Sequence, residues 1–203
     1  ALIGKYIIEE LVKIPVRVEI ASEFSYSGSI SAGKKAVVIT QSGETADALK
    51  VIKILKEKGC HVIAITNVVG STASRLADQV VYTRAGPEIS VPATKSFMAQ
   101  LMALYWLALP YSKIDIRRVD SLIMELRQLP GKVQQVLDNE NEVSKYAKYL
   151  SGYENVFFIG RGINFPVALE GALKLKELSY IHAEGYAAGE LKHGPFALLG
   201  KDT

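Results

Sequence analysis

One strand-to-helix junction, Thr40-Gln41-Ser42-Gly43-Glu44-Thr45, limits the fold more than any other stretch. Before it, Lys35-Ala36-Val37-Val38-Ile39 is a short apolar run rich in β-branched residues and bounded by polar ones. Such a run suits a strand covered on both faces. After it, Ala48, Val51, Ile52 and Leu55 recur at i, i+3, i+4 and i+7, one stripe of a helix. Strand, tight polar turn and helix make a phosphate-binding unit. The first helical turn leaves backbone N–H groups without intrahelical partners, and the macrodipole adds partial positive charge there. Thr40, Ser42 and Thr45 add hydroxyls, and Gly43 lets the backbone come close. The turn carries no lysine, so it is not a Walker A loop. The plain alternative is that Ser42 is an ordinary helix N-cap.

The same alternation continues downstream. Gly59 predicts the end of the helix, Cys60 to Thr66 a buried strand, 67–78 a loop with a helical turn, and Val80 to Thr83 another strand. Strands alternating with helices imply βαβ units, a parallel sheet and right-handed crossovers, hence a doubly wound α/β fold. Ligands in such sheets bind beyond the carboxyl ends of strands. Thr40, Asn67 and the Gly86-Pro87-Glu88 turn all follow strands. Upstream, residues 2–14 predict a helix ended by Pro15, Val16 to Ala21 alternates like a strand, and Ser25 to Gly33 reads as a loop.

Residues 93–109 predict a long helix stopped by Pro110. Residues 114–150 read as helical, broken at Leu129-Pro130-Gly131. A strand at Asn155 to Ile159, a Gly160-Arg161-Gly162 turn and a helix from Phe165 to Tyr180 follow. We therefore expect a first α/β domain over 1–110, a helical connector over 111–150, and the front half of a second α/β domain over 151–203. A weak internal repeat supports this division. The second module opens strand, glycine turn, helix, then Tyr180 to Glu184; the first opens directly with a helix, then Val18 to Glu23. A strand and a glycine turn are thus expected before Ala1. The sequence starts without Met and stops at Lys201-Asp202-Thr203 just after an apolar run, as a piece of something longer would.

Composition narrows the function classes. No run of about 18 apolar residues is free of charge, so no membrane span is expected, and no signal peptide is visible. The single Cys60 excludes an intrachain disulfide and argues for a reducing, cytoplasmic compartment. The net charge is +3 with basic and acidic residues interspersed, so nucleic acid binding is not suggested. Three histidines and one cysteine show no metal-ligand spacing, and no metal or cofactor is expected.

A second constellation lies near the end. Glu170, Lys174 and Glu177 fall at i, i+4 and i+7 of one helix and share a face; Leu169, Ala172, Leu173 and Lys176 take another. Read alone, this is a solvated salt-bridge ladder as readily as a catalytic group. His193 precedes Gly194-Pro195, a turn that presents a side chain. Imidazole titrates near neutrality and suits proton transfer in opening a cyclic sugar. An exposed loop histidine is its plain alternative. His61, at the start of a strand, and His182, in a turn beyond the helix, receive no role.

Gln41 to Leu49 resembles the phosphosugar loop of sugar isomerase (SIS) domains. Leu169 to Glu177, Ser179 to Glu184 and Ala187 to Pro195 resemble the isomerase part of the glucosamine-6-phosphate synthases within that family, almost letter for letter. The resemblance implies a SIS fold and an aldose–ketose isomerase that takes fructose 6-phosphate and ammonia from glutamine to glucosamine 6-phosphate. It implies that Glu177 shuttles a proton between C1 and C2, that Lys174 assists, that Glu170 contacts the amino sugar and that His193 opens the ring. In that family the histidine comes from the neighbouring subunit, implying a homodimer. Thr40, Gln41, Ser42, Gly43 and Thr45 match the phosphate loop; Glu88, Val91 and Ala93 match a loop lining the sugar. Ala93, after Pro92, stands where that family commonly has serine, and Thr40 replaces a serine with another hydroxyl. The family's imine-forming lysine would lie beyond residue 203. Its glutaminase domain, and a Gly-Thr-Ser turn that also holds phosphate, would lie before Ala1. The piece alone is therefore expected to be inactive. A stand-alone amino-sugar-phosphate isomerase or deaminase remains open, as do a non-catalytic phosphosugar-sensing module and a purely structural domain.

Overall fold

The computed structural model describes residues 1–27 and 29–200, so Gly28 of the expected loop and residues 201–203 lie outside the described residues. The chain divides into two compact units, Ala1–Tyr111 and Ser112–Thr203.

In the first unit α1 (Leu2–Val12), α2 (Ala21–Ser27), β1 (Lys35–Ile39), α3 (Ala46–Glu57), β2 (His61–Thr66), α4 (Thr72–Leu76), β3 (Gln79–Tyr82) and α5 (Lys95–Ala108) follow in order, ending in a 3-10 turn at Leu109–Tyr111. The three strands form a parallel sheet in the order β1-β2-β3. Val38 lies opposite Ala64, Ile39 opposite Ile65, and Ile65 opposite Val81. Parallel pairing brings all three carboxyl ends to one edge. The ladder runs one step past each strand: Thr40 N–H donates to Ile65 O, Asn67 N–H to Gln41 O and Thr83 N–H to Thr66 O, all at 3.0 Å.

The helical stripe read from the sequence is the one buried: Ala48, Val51, Ile52 and Leu55 pack with Val38, Val62, Cys60, Ala73 and Phe24 of α2. The other side of the unit is a second apolar layer, with Ile3, Ile7 and Leu11 of α1 buried alongside Ala103, Leu104 and Ala108 of α5. Gly4 permits it, since a Cβ there would come within 2.8 Å of Leu104 Cδ1. Lys58 caps α3, and Gly59 at φ 69° turns the chain into β2.

Residues 16–20 are not a strand. Val16 and Val18 are half-buried and Ile20 is exposed, so the alternation is partly realised, but no strand lies alongside among the described residues. A strand is defined by its pairing, and period-2 patterning cannot supply a partner. The expected loop at Ser25 also yields: α2 takes Ala21–Ser27, with Phe24 driven into the core.

The second unit holds α6 (Ile116–Asp138), α7 (Glu140–Leu150), β4 (Asn155–Gly160), α8 (Asn164–Ser179), β5 (His182–Ala187) and a 3-10 turn at Pro195–Leu198. The expected break at Leu129-Pro130-Gly131 is absent; α6 runs through Pro130 and the break falls at Asn139. Proline removes one ladder hydrogen bond, and on a helix with no buried residue the bypassed carbonyl faces solvent. His182 is not in a turn. It opens β5, which pairs in parallel with β4, Asn155 opposite His182 and Gly160 opposite Ala187. Here a segment matching 18–23 in the internal repeat does become a strand, because β4 stands beside it.

Small residues let α8 lie close on this sheet. A Cβ on Gly185 would meet Leu169 Cα at 2.8 Å, and one on Gly171 would meet the Phe158 ring at 3.0 Å. The buried residues of α8 are Pro166, Ala168 and Ala172, rather than the larger Leu173, which is 42% exposed. The Glu170, Lys174 and Glu177 flank is left partly open.

Ile52 is fully buried at the centre of the first core. Ile52→Ala should cost about 2–5 kcal/mol through lost transfer energy and a residual cavity. The denaturant midpoint should fall without a change in slope.

Candidate functional site

At the end of β1 the chain forms a closed hydroxyl network. Thr40 is buried, its Oγ1 lies 3.0 Å from Thr45 Oγ1, and it accepts the Gly43 N–H at 3.2 Å. Ser42 Oγ accepts the Glu44 N–H at 3.1 Å. Thr45, not Ser42, occupies the N-cap position of α3, and its carbonyl takes the Leu49 N–H at 3.0 Å. Ser42 is thus a loop residue rather than the N-cap, and Thr45 holds the cap position without a side-chain capping bond. Gly43 has φ 71°, and a Cβ there would land on Ser71 Oγ and lie 2.9 Å from Thr66 Oγ1. Its carbonyl is pinned by the Ala73 N–H at 2.9 Å. Glu44 reaches across to accept the Thr72 N–H at 2.7 Å; that bond, the Thr72 hydroxyl and the Arg75 charge hold its carboxyl below its ordinary range. Strand end, glycine turn and helix start are therefore fastened to the loop after β2.

The segment between β3 and α5 is shaped by two acceptors. Asn67, at the end of β2, donates from Nδ2 to Gly86 O at 2.7 Å and accepts Thr83 Oγ1–H and Ala85 N–H on Oδ1 at 2.9 and 2.8 Å. Glu88 accepts the Thr94 hydroxyl and N–H at 3.0 and 3.2 Å, the Ser96 N–H at 3.1 Å and the Ser96 hydroxyl. Its carboxylate acts as the cap of α5 that Thr94 does not provide. These donors, the Ser96 hydroxyl foremost, lower its pKa to about 2. Val91 is 94% exposed, Pro92 buried and Ala93 half-buried.

In the second unit, Lys174 Nζ sits between two carboxylates, 3.6 Å from Glu170 Oε1 and 2.5 Å from Glu177 Oε2. All three side chains are about a quarter exposed. An ammonium fixed beside a carboxylate with room on its open side can steady charge while that carboxylate moves a proton. His193 is exposed on a turn whose N–H donates to Glu190 O at 2.9 Å, followed by Gly194 at φ 138° and the Pro195 turn. The structure thus gathers Thr40, Gln41, Ser42, Gly43 and Thr45 at one strand end, sets Glu88, Val91 and Ala93 on one loop of the same unit, and brings Glu170, Lys174 and Glu177 into contact on α8. Among the described residues, His193 stands on its turn apart from the charged residues of α8.

Comparison with known proteins follows this geometry. A family model described as "SIS domain" matches residues 1–110 and 149–203. The chain belongs to the SIS domain family. This SIS chain is 51% identical over 207 residues to the glutamine–fructose-6-phosphate aminotransferase (isomerizing) of Caldanaerobacter subterraneus, and 49% to that of Methanosarcina acetivorans. Each match covers 100% of this chain and 34% of the relative, so the chain spans about a third of these enzymes' length. Among solved structures, the C-terminal domain of glucosamine-fructose-6-phosphate aminotransferase from Francisella tularensis superposes with a TM-score of 0.94 at 40% identity, covering 99% of this chain and 58% of that one. A glucosamine-6-phosphate deaminase from Thermotoga maritima matches at 0.80 and 26% identity, covering 100% and 61%.

Sequence reasoning passed over several residues of the SIS loop edge. Thr66 and Ser71 pack beneath Gly43, and Glu44 ties the loop to α4; the only local signal was a polar residue just after a strand or glycine. On β5, His182 Nδ1 lies 2.8 Å from Asn155 Oδ1, and Tyr186 donates to Glu184, which raises the phenol pKa. Among the described residues no group of three or more His, Cys, Asp or Glu is placed to hold a metal, and no helix is long and apolar enough to cross a membrane.

Two variants test this geometry. Gly43→Ala forces a Cβ into left-handed backbone and onto Ser71, and should cost at least about 1–2 kcal/mol in thermal unfolding. Glu88 has a depressed folded pKa, so its stabilisation is complete above its unfolded value of 4.5 and is lost as pH falls toward 2. Glu88→Gln should flatten the fall in Tm between those values, while leaving the slope above pH 6 unchanged.

Proposed function

We propose that this chain is the isomerase portion of a glucosamine-6-phosphate synthase. On this reading it binds fructose 6-phosphate and, within a longer protein that supplies ammonia from glutamine, converts it to glucosamine 6-phosphate. The observation that carries the reading is the Lys174 ammonium held 2.5 Å from Glu177 and 3.6 Å from Glu170 on α8. The aminotransferase names and the identity of the relatives support it.

The roles follow from the chemistry. The loop of Thr40, Gln41, Ser42, Gly43 and Thr45 grips the phosphoryl group with hydroxyls and first-turn N–H groups. Glu88 shapes the neighbouring loop on which Val91 and Ala93 line the sugar. His193, contributed by the partner protomer of a homodimer, passes a proton as the fructose ring opens. With nitrogen then bonded to C2 as an imine, the Glu177 carboxylate removes a proton from C1. The electron pair moves through C1–C2 onto the imine nitrogen. The same proton returns to C2, and the C1 hydroxyl gives its proton to the nitrogen as it becomes a carbonyl, so C1 is oxidised as C2 is reduced and no external oxidant is needed. Lys174 steadies the charge that develops, and Glu170 receives the amino group. The helices over 111–150 serve as the connector between the two modules. A cytoplasmic setting agrees with the single buried Cys60.

The likeness to a deaminase favours a second reading, an amino-sugar-phosphate enzyme working without a glutaminase. Turnover with glutamine against turnover with free ammonia separates the two.

Glu177→Gln in the full-length protein should leave the Kd for fructose 6-phosphate within about twofold and lower turnover by at least about 10²-fold. Unchanged turnover would remove Glu177 from the chemistry.

A further inference from the structure

Ser71 stands where a helix cap would stand and does not cap. It precedes α4 with extended backbone, yet its side chain accepts nothing from that helix. The Thr72 N–H goes instead to Glu44 at 2.7 Å, and the Ser71 carbonyl takes the Ser74 hydroxyl at 2.7 Å and the Arg75 N–H at 3.1 Å. Ser71 is 3% exposed, and among the described residues its Oγ is the buried side-chain polar atom without a hydrogen-bond partner. A hydroxyl removed from water and left unbonded opposes folding, and alanine would occupy the same place without that cost.

Its position gives the hydroxyl a task. It packs directly beneath Gly43, beside the fully buried Thr66, whose own hydroxyl already donates to Gln41 O at 3.4 Å. Two N–H groups of the loop above have internal acceptors: Gly43 N–H rests on Thr40 Oγ1 and Glu44 N–H on Ser42 Oγ. An anion that recruits the Gly43 N–H draws it off Thr40 Oγ1 and turns the peptide between Ser42 and Gly43, which swings the Ser42 carbonyl. The Ala73 N–H holds the Gly43 carbonyl at 2.9 Å, so the peptide between Gly43 and Glu44 is the anchored side of the loop, over Ser71.

We propose that Ser71 is a positioning residue for phosphate-monoester binding, its hydroxyl donating to a backbone carbonyl of residues 41–43 only when the 40–45 loop grips a phosphoryl group. The proposal rests on reading that loop as the phosphate site. A hydrogen bond made in the occupied loop alone adds to affinity; one made equally in both states does not.

The test uses the full-length protein, inorganic phosphate as probe in calorimetric titration, and fructose 6-phosphate in turnover assays. Ser71→Ala should raise the phosphate Kd and the sugar KM by roughly three- to tenfold, the span of one net hydrogen bond, with kcat retained. The unliganded unfolding midpoint should not fall. Ser71→Cys keeps the volume but donates weakly, and should bind like the alanine variant; it also stands in if alanine fails to fold. Equal phosphate affinity in wild type and both variants, or full affinity in Ser71→Cys, overturns the proposal by reducing Ser71 to a spacer. Saturable phosphate binding without sugar turnover in wild type overturns the functional reading and leaves Ser71 in place. A wild type that binds no phosphate overturns both.

Discussion

The parallel ladder between β1 and β2 is the constraint on which the first unit depends. Because the strands run the same way, Thr40 and Asn67 emerge side by side, and the ladder still joins Asn67 N–H to Gln41 O beyond them. A parallel pair also forces a crossover, and α3 supplies it with one apolar stripe against Val38 and Val62. The helix start is thereby fixed over the strand end. The hydroxyl cluster of Thr40, Ser42 and Thr45 is a consequence of that placement, since none of these side chains could hold a loop in place without the ladder beneath it.

The second unit gathers its charged side chains by another route. Its sheet is approached by small residues, and α8 lies against β5 through Gly185 and against β4 through Gly171. That closeness buries Ala168 and Ala172 and leaves the adjacent flank half open. Lys174 there has two carboxylates within ion-pair distance and solvent on the remaining side. Full burial would make three charges on one helix costly, and full exposure would screen them to little effect. Partial exposure leaves these groups paired yet free to change partners.

Local patterning made much of this legible. The stripe of Ala48, Val51, Ile52 and Leu55 is the buried one, Gly59 ends its helix, and Glu170, Lys174 and Glu177 share a face because 3.6 residues per turn require it. Where patterning misled, a partner outside the local window was responsible. Residues 16–20 alternate with no neighbouring strand among the described residues, whereas His182, read as lying in a turn, opens a strand that pairs with β4. Pro130 stops no helix, and it lies on a helix with no fully buried residue, where the carbonyl it leaves without a partner can reach solvent. Glu88, matched to a sugar-lining loop by resemblance, accepts from Thr94 and Ser96 at the start of α5, contacts that no local pattern shows.

Local residue patterns set the βαβ order, the place of the strand-end hydroxyl loop and the register of the three charged residues on α8. These follow from periodicities of two and 3.6 and from glycine at a left-handed turn, all properties of neighbouring residues. Only the tertiary structure decided that Ser71 and Thr66 lie under Gly43, that Glu44 and Asn67 tie separate loops together, and that Thr45 rather than Ser42 begins α3. Those contacts join residues up to 28 positions apart, as between Glu44 and Thr72, and they exist because parallel pairing sets consecutive strand ends next to each other.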